Sequence, residues 1–389
     1  KLSGAGWVGP WPPLALALAG PAATVQSTAT SMGPVGCSCT RFVRSCRNAT
    51  VAIRLDRLAE GRVGLPMSGG KIAVLCPNLG LDRIGSLGTL EPGTVMRFRS
   101  ALASAGGKGL NLARTAAALG AEASVVGFLG GWIGRLVAEL AERERLAVHP
   151  YWVQAETRVN TIVLEDSGRV TVFNEEGPRL DARLASELLE LLEQKLEDSA
   201  LVVAIGSLPP GLPATLYVEC VARARSRQLP VIVDAAREAL VAVLAAEPDI
   251  LTPNVFEAEG ALGQASAELV TDDPVDLRER ALAAARALAR ATRQAAIVKA
   301  GAAGAAVATK ERLWFVPAPS PVTVRNPIGA GDAFVAGLAS GLLRGWPIER
   351  AVRLAVAAGS ASVETLQPGA VARERVEQLA GAVAPVVIE

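Results

Sequence analysis

The stretch Asn326-Pro327-Ile328-Gly329-Ala330-Gly331-Asp332-Ala333-Phe334 sets small residues and an acid at the start of an apolar helical pattern (Phe334, Val335, Leu338, Leu342, Leu343). A helix starting at Gly331 would aim its unpaired N–H groups and positive dipole end at the space above Gly329 and Ala330. That is the geometry of an anion site. Asp332, in the first turn, would lie beside any anion held there, placed to take a proton from an attacking nucleophile. The same residues fit a plain helix start equally well, with the glycines making only a turn. The rest of the chain has to decide.

Elements able to position such a site follow one another from Lys71. Ile72-Ala73-Val74-Leu75 reads as a buried strand ending at Pro77-Asn78, with Asp82 just beyond. Gly106-Gly107-Lys108-Gly109 runs into Asn111 and an Ala-rich helix ending at Gly120. Residues 94–103 alternate weakly, and residues 159–164 meet residues 170–173 across Glu165-Asp166-Ser167-Gly168, a hairpin signal. These half-polar strands, near 94–103 and 158–173, suit a small separate sheet, a lid. An amphipathic helix follows, with Leu184, Leu188, Leu191, Leu192 and Leu196 on one side. Strands at 201–205, 231–233, 250–251 and 296–298 then alternate with helices at 214–227, 237–246 and 278–293. This pattern predicts an α/β fold, with a mainly parallel sheet covered on both faces. Ligands of such sheets bind beyond the carboxyl ends of the strands. Three unusual loops fall there: residues 206–211, Thr252-Pro253-Asn254 and Lys299-Ala300-Gly301.

Composition narrows the chemistry. Of 389 residues, 39 are Lys or Arg and 38 Asp or Glu, so a formal charge of +1 gives no electrostatic case for nucleic acid or an anionic membrane as partner. The single histidine, His149, all but excludes a Ser–His–Asp mechanism or a His-built zinc site. Cys37, Cys39 and Cys46 cluster without a fourth ligand of suitable spacing, which points to reduced thiols rather than a metal site. Residues 1–70, with scattered Pro, Gly, Ser and Thr and poor periodicity, read as a poorly ordered N-terminal extension ahead of a domain at 71–389.

No Gly-x-x-x-x-Gly-Lys-Ser/Thr occurs, and no Gly-x-Gly-x-x-Gly follows the first strand, so neither a P-loop nor a dinucleotide fingerprint is present. Gly106-Gly107-Lys108-Gly109-Leu110-Asn111 together with Asn326-Pro327-Ile328-Gly329-Ala330-Gly331-Asp332 instead resembles the two signatures of ribokinase-like sugar kinases. The phosphofructokinase B branch, with its 1-phosphofructokinases and tagatose-6-phosphate kinases, is the nearest match. Asn78 to Asp82, Thr157-Arg158-Val159-Asn160, residues 206–211 and Asn254-Val255-Phe256-Glu257 agree in order.

The resemblance implies a three-layer ribokinase-like sandwich with a β lid, and ATP-dependent phosphorylation of a ketohexose phosphate with Mg2+. Fructose 1-phosphate going to fructose 1,6-bisphosphate leads; tagatose 6-phosphate or fructose 6-phosphate comes next. A non-catalytic sugar-phosphate binder of the same fold is the rival from another class. By resemblance, Asp332 is the base, and Gly329, Ala330 and Gly331 hold the phosphoryl group in flight. Asp82, Gly106, Gly107, Lys108, Asn111 and Arg158 serve the sugar phosphate, with Lys108 and Arg158 gripping its existing phosphate. Asn254, Glu257, Lys299, Gly301, Gly304 and Gly331 serve the nucleotide, and Glu257 serves the metal, in part through water. Locally, Asn254 and Glu257 fit a helix cap equally well. The family's usual Asn-Pro reads Asn78-Leu79 here, and Lys299-Ala300 stands where Ser or Thr and a non-basic residue are usual. Cytoplasmic location is expected, despite a faintly leader-like run at residues 14–23, and a homodimer through lid strands is compatible with the family.

Overall fold

The computed structural model describes residues 70–264 and 274–388. The extension expected at 1–70 therefore falls, but for Gly70, outside the described residues.

Ten strands form one sheet. In chain order they are β1 (Lys71–Asn78), β4 (Ala123–Gly130), β5 (Ala147–Val153), β8 (Ser199–Ile205), β9 (Val231–Asp234), β10 (Ile250–Leu251), β11 (Ala295–Lys299), β12 (Gly304–Ala308), β13 (Leu313–Pro317) and β14 (Val386–Val387). Across the sheet they run β14-β13-β12-β11-β10-β9-β8-β1-β4-β5. Pairing is parallel from β11 to β5 and antiparallel from β11 to β14.

Alternation along β1 feeds two cores, one on each face of the sheet. Ile72, Val74 and Cys76 join one cluster with Leu110, Phe334 and Leu338. Ala73 and Leu75 join the other, with Leu188, Leu192, Leu216 and Tyr217. β8 does the same, Leu201 and Val203 facing one way and Val202 and Ala204 the other. Strands buried on both faces leave no polar positions, which is why they read as continuous apolar runs. The helices that cover the first face include α1 (Lys108–Ala118), α8 (Ala330–Leu343) and α9 (Ile348–Ser362). The second face is covered by α3 (Leu184–Leu196) and α4 (Leu216–Ser226).

Four strands make the smaller sheet, ordered β3-β2-β6-β7: β2 (Gly80–Leu87), β3 (Ser100–Gly106), β6 (Arg158–Glu165) and β7 (Val170–Asn174). The β6–β7 hairpin is the one the sequence predicts. Two differences stand out. The strand expected at 94–103 runs from Ser100 to Gly106, because β2 offers pairing partners only from Ser86 down to Gly80. β2 itself, rich in glycine and mixed in polarity, carries no clear strand pattern and owes its form to its two neighbours, β3 and β6.

Leu188 is fully buried in the second core, away from the strand ends. Leu188→Ala is expected to cost about 2–5 kcal/mol in urea unfolding, through lost burial plus a cavity. Substrate KM should stay unchanged.

Candidate active site

The candidate residues gather where the parallel strands end. Asn78 ends β1, Asp234 ends β9 and Lys299 ends β11, while the N-terminus of α8 faces this edge. α8 begins at Ala330, one residue before the expected start at Gly331. Gly329 sits at its N-cap with φ 88° and ψ −4°, and no side chain caps the helix. Gly329 is required there on two counts: its left-handed backbone, and Pro368 Cβ and the Gly369 amide, which would lie 2.8 and 2.9 Å from an added Cβ. The lysine amine of Lys299 hangs over this first turn, 3.4 Å from where a Cβ on Gly331 would be. A cation and uncapped amides thus point into the same space.

Asp332 lies in that turn and is only 6% exposed. Asn111 Nδ2, from α1, donates to its Oδ2 at 3.0 Å. Burial pushes its pKa up to about 7, and the charge of Asp234 adds to this; Lys108, the Asn111 hydrogen bond and Lys299 pull the other way. The result is a carboxyl poised to exchange a proton near neutral pH.

Asp234 is the site residue that the sequence reading missed. It is fully buried, and its carboxylate is shared by the Lys108 amine at 2.8 Å and the Lys299 amine. Thr252 Oγ1 adds a hydrogen bond at 3.3 Å. Burial alone would push its pKa up; the two lysines more than reverse that and hold it below the ordinary value. An acid ending a strand at the ligand edge was the available signal.

Asp234 also splits a pair expected from sequence. Lys108 does not converge with Arg158 on one anion. Its amine turns to Asp234 and, at 3.6 Å, to Glu257 Oε1. Burial works against its charge, but Asp234, Glu257 and Asp332 together raise its pKa well above the usual value. Arg158, at the start of β6, instead donates to the carbonyls of Asn78 at 2.9 Å and Glu175 at 3.2 Å, and its buried Nε has no partner. Beside it, Asp82 accepts a 2.8 Å hydrogen bond from Asn160 Nδ2. The Asp82 carboxylate presses so close to Gly106 that a Cβ there would sit 2.3 Å from its Cγ, which explains one glycine of that motif. Gly107, with φ 93°, is the N-cap of α1.

Asn254 and Glu257 make the helix cap that their spacing allows. They form a full capping box on α6 (Val255–Ala261), with Asn254 N–H donating to Glu257 Oε2 and Glu257 N–H donating to Asn254 Oδ1, each at 2.8 Å. That leaves Oε1 of Glu257 facing Lys108. Among the described residues no group of three or more His, Cys, Asp or Glu could hold a metal. One hard carboxylate oxygen at the cleft fits Mg2+, which takes most of its ligands from phosphates and water. Gly301 and Gly304 bracket the 3-10 turn after β11 and adjoin the cluster through the chain that carries Lys299.

Comparison with known proteins identifies the family and the fold. The profile of the pfkB family carbohydrate kinases matches residues 82–374. A tagatose-6-phosphate kinase of Staphylococcus epidermidis is 29% identical over 310 residues, covering 79% of this chain and 97% of the relative. The structure of the tetrameric inhibited form of phosphofructokinase-2 from Escherichia coli superposes with a TM-score of 0.69 at 27% identity, covering 80% of this chain and 98% of that one. A ribokinase from Thermotoga maritima, 23% identical with a TM-score of 0.62 over 80% of this chain and 99% of its own, shares the fold. The architecture is thus ribokinase-like.

Burying an ionised Asp332 carries a cost with a definite sign. Its pKa rises from 3.8 in the open chain to about 7 in the fold, so stability falls as pH climbs through that window. Asp332→Asn should therefore stabilise the protein at pH 8 by about 2–4 kcal/mol in urea unfolding and by little at pH 4. Equal stability of the two proteins at pH 8 would refute the raised pKa.

Proposed function

The chain belongs to the pfkB family of carbohydrate kinases, phosphotransferases acting on a sugar hydroxyl, and from that premise we propose that it converts a ketohexose phosphate to the bisphosphate at the expense of ATP. Fructose 1-phosphate going to fructose 1,6-bisphosphate is the leading reaction. The observation that carries the reading is the buried, titratable Asp332 in the uncapped first turn of α8, beside the Lys299 amine. A non-catalytic binder has no use for such a carboxyl, since it costs stability.

In this reading the sugar hydroxyl oxygen attacks the γ-phosphorus, its bond to the ADP oxygen breaks, and Asp332 takes the hydroxyl proton. Phosphoryl transfer asks the protein mainly for positioning and charge stabilisation. The amides of Ala330 and Gly331 and the Lys299 amine serve the phosphoryl oxygens. Lys108, held by Asp234, adds charge on the same side. Glu257 Oε1, with water, would hold Mg2+, which when bound neutralises phosphate charge. At the other end, Asp82 accepts from sugar hydroxyls and Arg158 meets the phosphate already on the sugar. The unpartnered Nε of Arg158 supports that assignment. Tagatose 6-phosphate is the second reading, favoured by the 29% identity to a tagatose-6-phosphate kinase. Cytoplasmic location suits such an enzyme, and no described helix is long and apolar enough to cross a membrane. A homodimer through the lid sheet also remains our proposal, testable by solution mass measurement.

Purified protein offered ATP, Mg2+ and a panel of ketose phosphates should turn over fructose 1-phosphate fastest; no turnover on any member would sink the enzyme reading. Asp332→Asn should lower kcat by about 10²–10⁴ with substrate binding kept. Since the base must be ionised, kcat/KM should fall as pH drops below about 7. Arg158→Met should raise KM for the phosphorylated sugar by about 10–100-fold, the worth of a charged hydrogen bond. An unchanged KM would remove Arg158 from the phosphate grip.

A further inference from the structure

Several buried charges lie outside the chemistry described so far, and one of them, Arg114, hydrogen-bonds a direct partner of Asp332. Arg114, on α1, is 8% exposed, yet it touches neither the anion space nor Asp332. Its guanidinium is fully engaged. Nε and Nη2 grip the Glu144 carboxylate, Nη2 also donates to the Ala105 carbonyl at 2.8 Å and Ser104 Oγ at 3.2 Å, and Nη1 donates to the Pro368 carbonyl at 2.7 Å. The remaining Nη1 bond, 3.0 Å, goes to Asn111 Oδ1.

That last bond decides which way the Asn111 amide points. An Asn side chain has one oxygen and one NH2, and either can face a given neighbour. Arginine only donates, so it can accept nothing from NH2 and demands the oxygen. The NH2 is left for the other side, where Asp332 Oδ2 receives it at 3.0 Å. Asp82 also gains from the Asn111 amide. A flipped amide would set NH2 against guanidinium N–H groups and oxygen against a buried carboxylate. Both contacts would be repulsive. Spacing puts Asn111 and Arg114 three residues apart on one helix face, within reach of each other.

We propose that Arg114 is a positioning residue for the phosphoryl-transfer reaction: it locks the Asn111 amide so that its NH2 faces Asp332 and keeps the base ionisable. The inference rests on the reading of Asp332 as base. Arg114 is itself over-determined by three separate segments: the end of β3, Glu144 at the end of the helix Gly131–Arg143, and the loop at Pro368. Gln367 Nε2 ties the same three together through Ser104 Oγ at 3.0 Å and Glu144 Oε1 at 3.1 Å. The largest charged influences on Asp332 are Lys108, Asp234 and Lys299, and Arg114 contacts none of them, although its charge also acts on Asp82. A change at Arg114 can therefore reach the base through Asn111 without rearranging the lysines.

The test is the pH dependence of kcat/KM in Arg114→Lys, which keeps the charge but loses the fork. Its acid limb should move up by about one pH unit, as expected for losing a hydrogen bond to a charged group. Turnover at pH 7 should fall about fivefold while KM for ATP holds within about twofold. Because lysine cannot hold both Glu144 oxygens, the pair Arg114→Gln with Glu144→Gln, which strands no charge, is measured beside it and should shift the limb the same way. In the Asn111→Ala background neither change should move the limb further. An unmoved limb in both variants, or an equal shift with Asn111 already removed, would overturn the proposal and leave Arg114 as mere structure. Titrating the Asp332 carboxyl carbon by NMR in the same proteins gives the same answer without turnover. An inactive wild type would then count against the kinase reading alone.

Discussion

A carboxyl buried out of reach of water is the constraint on which the rest of this site depends. Desolvation alone would keep Asp332 protonated at neutral pH. Its pKa of about 7 is a balance: burial and Asp234 raise it, while Lys108, Asn111 and Lys299 restrain it. None of these partners lies near Asp332 in sequence. They arrive from α1, β9 and β11, so this carboxyl is tuned only when the whole sheet edge is assembled. The lysines in turn need Asp234, which sets both amines on one buried point.

The fold meets this need through the direction of its strands. Parallel pairing from β11 to β5 brings strand ends to one edge, and burial on both faces makes that edge rigid. The residue that ends each strand is the first with freedom to be polar. Asn78, Asp234 and Lys299 occupy such positions on β1, β9 and β11. The smaller sheet adds Asp82 and Arg158 from β2 and β6, paired in parallel so that Gly80 lies opposite Arg158 and Asp82 opposite Asn160. Asn160 thereby becomes the neighbour that donates to Asp82.

Much of this is written locally and is legible without coordinates. The helix start at 329–332, the β6–β7 hairpin and the apolar strands of the large sheet each depend on residues adjacent in sequence, or spaced by one period. What escaped reading depends on distant partners. β2 is a strand because β3 and β6 flank it, not because of its composition. Residues 94–99 alternate in polarity yet have no ladder to join. Asp234 is an unremarkable acid until Lys108, 126 positions away, closes on it. Lys108 and Arg158 carry the right charge for a shared anion, but Asp234 and Glu257 claim the first of them.

The charge balance of the cleft also bears on how a nucleotide could be held. Lys108 and Lys299 are already matched by Asp234 and Glu257, which leaves the cluster near neutral with Asp332 protonated and negative once it ionises. A triphosphate brings several further negative charges into a site of low dielectric, where uncompensated charge is costly. Uncapped amides at α8 supply part of the compensation, equivalent to about half a charge for a helix terminus. The lysines can supply more only by loosening their hold on Asp234 and Glu257. A nucleotide that arrives with its own cation avoids that choice. A cation held by Glu257 would supply the positive charge that the Lys108 amine now gives its Oε1 at 3.6 Å.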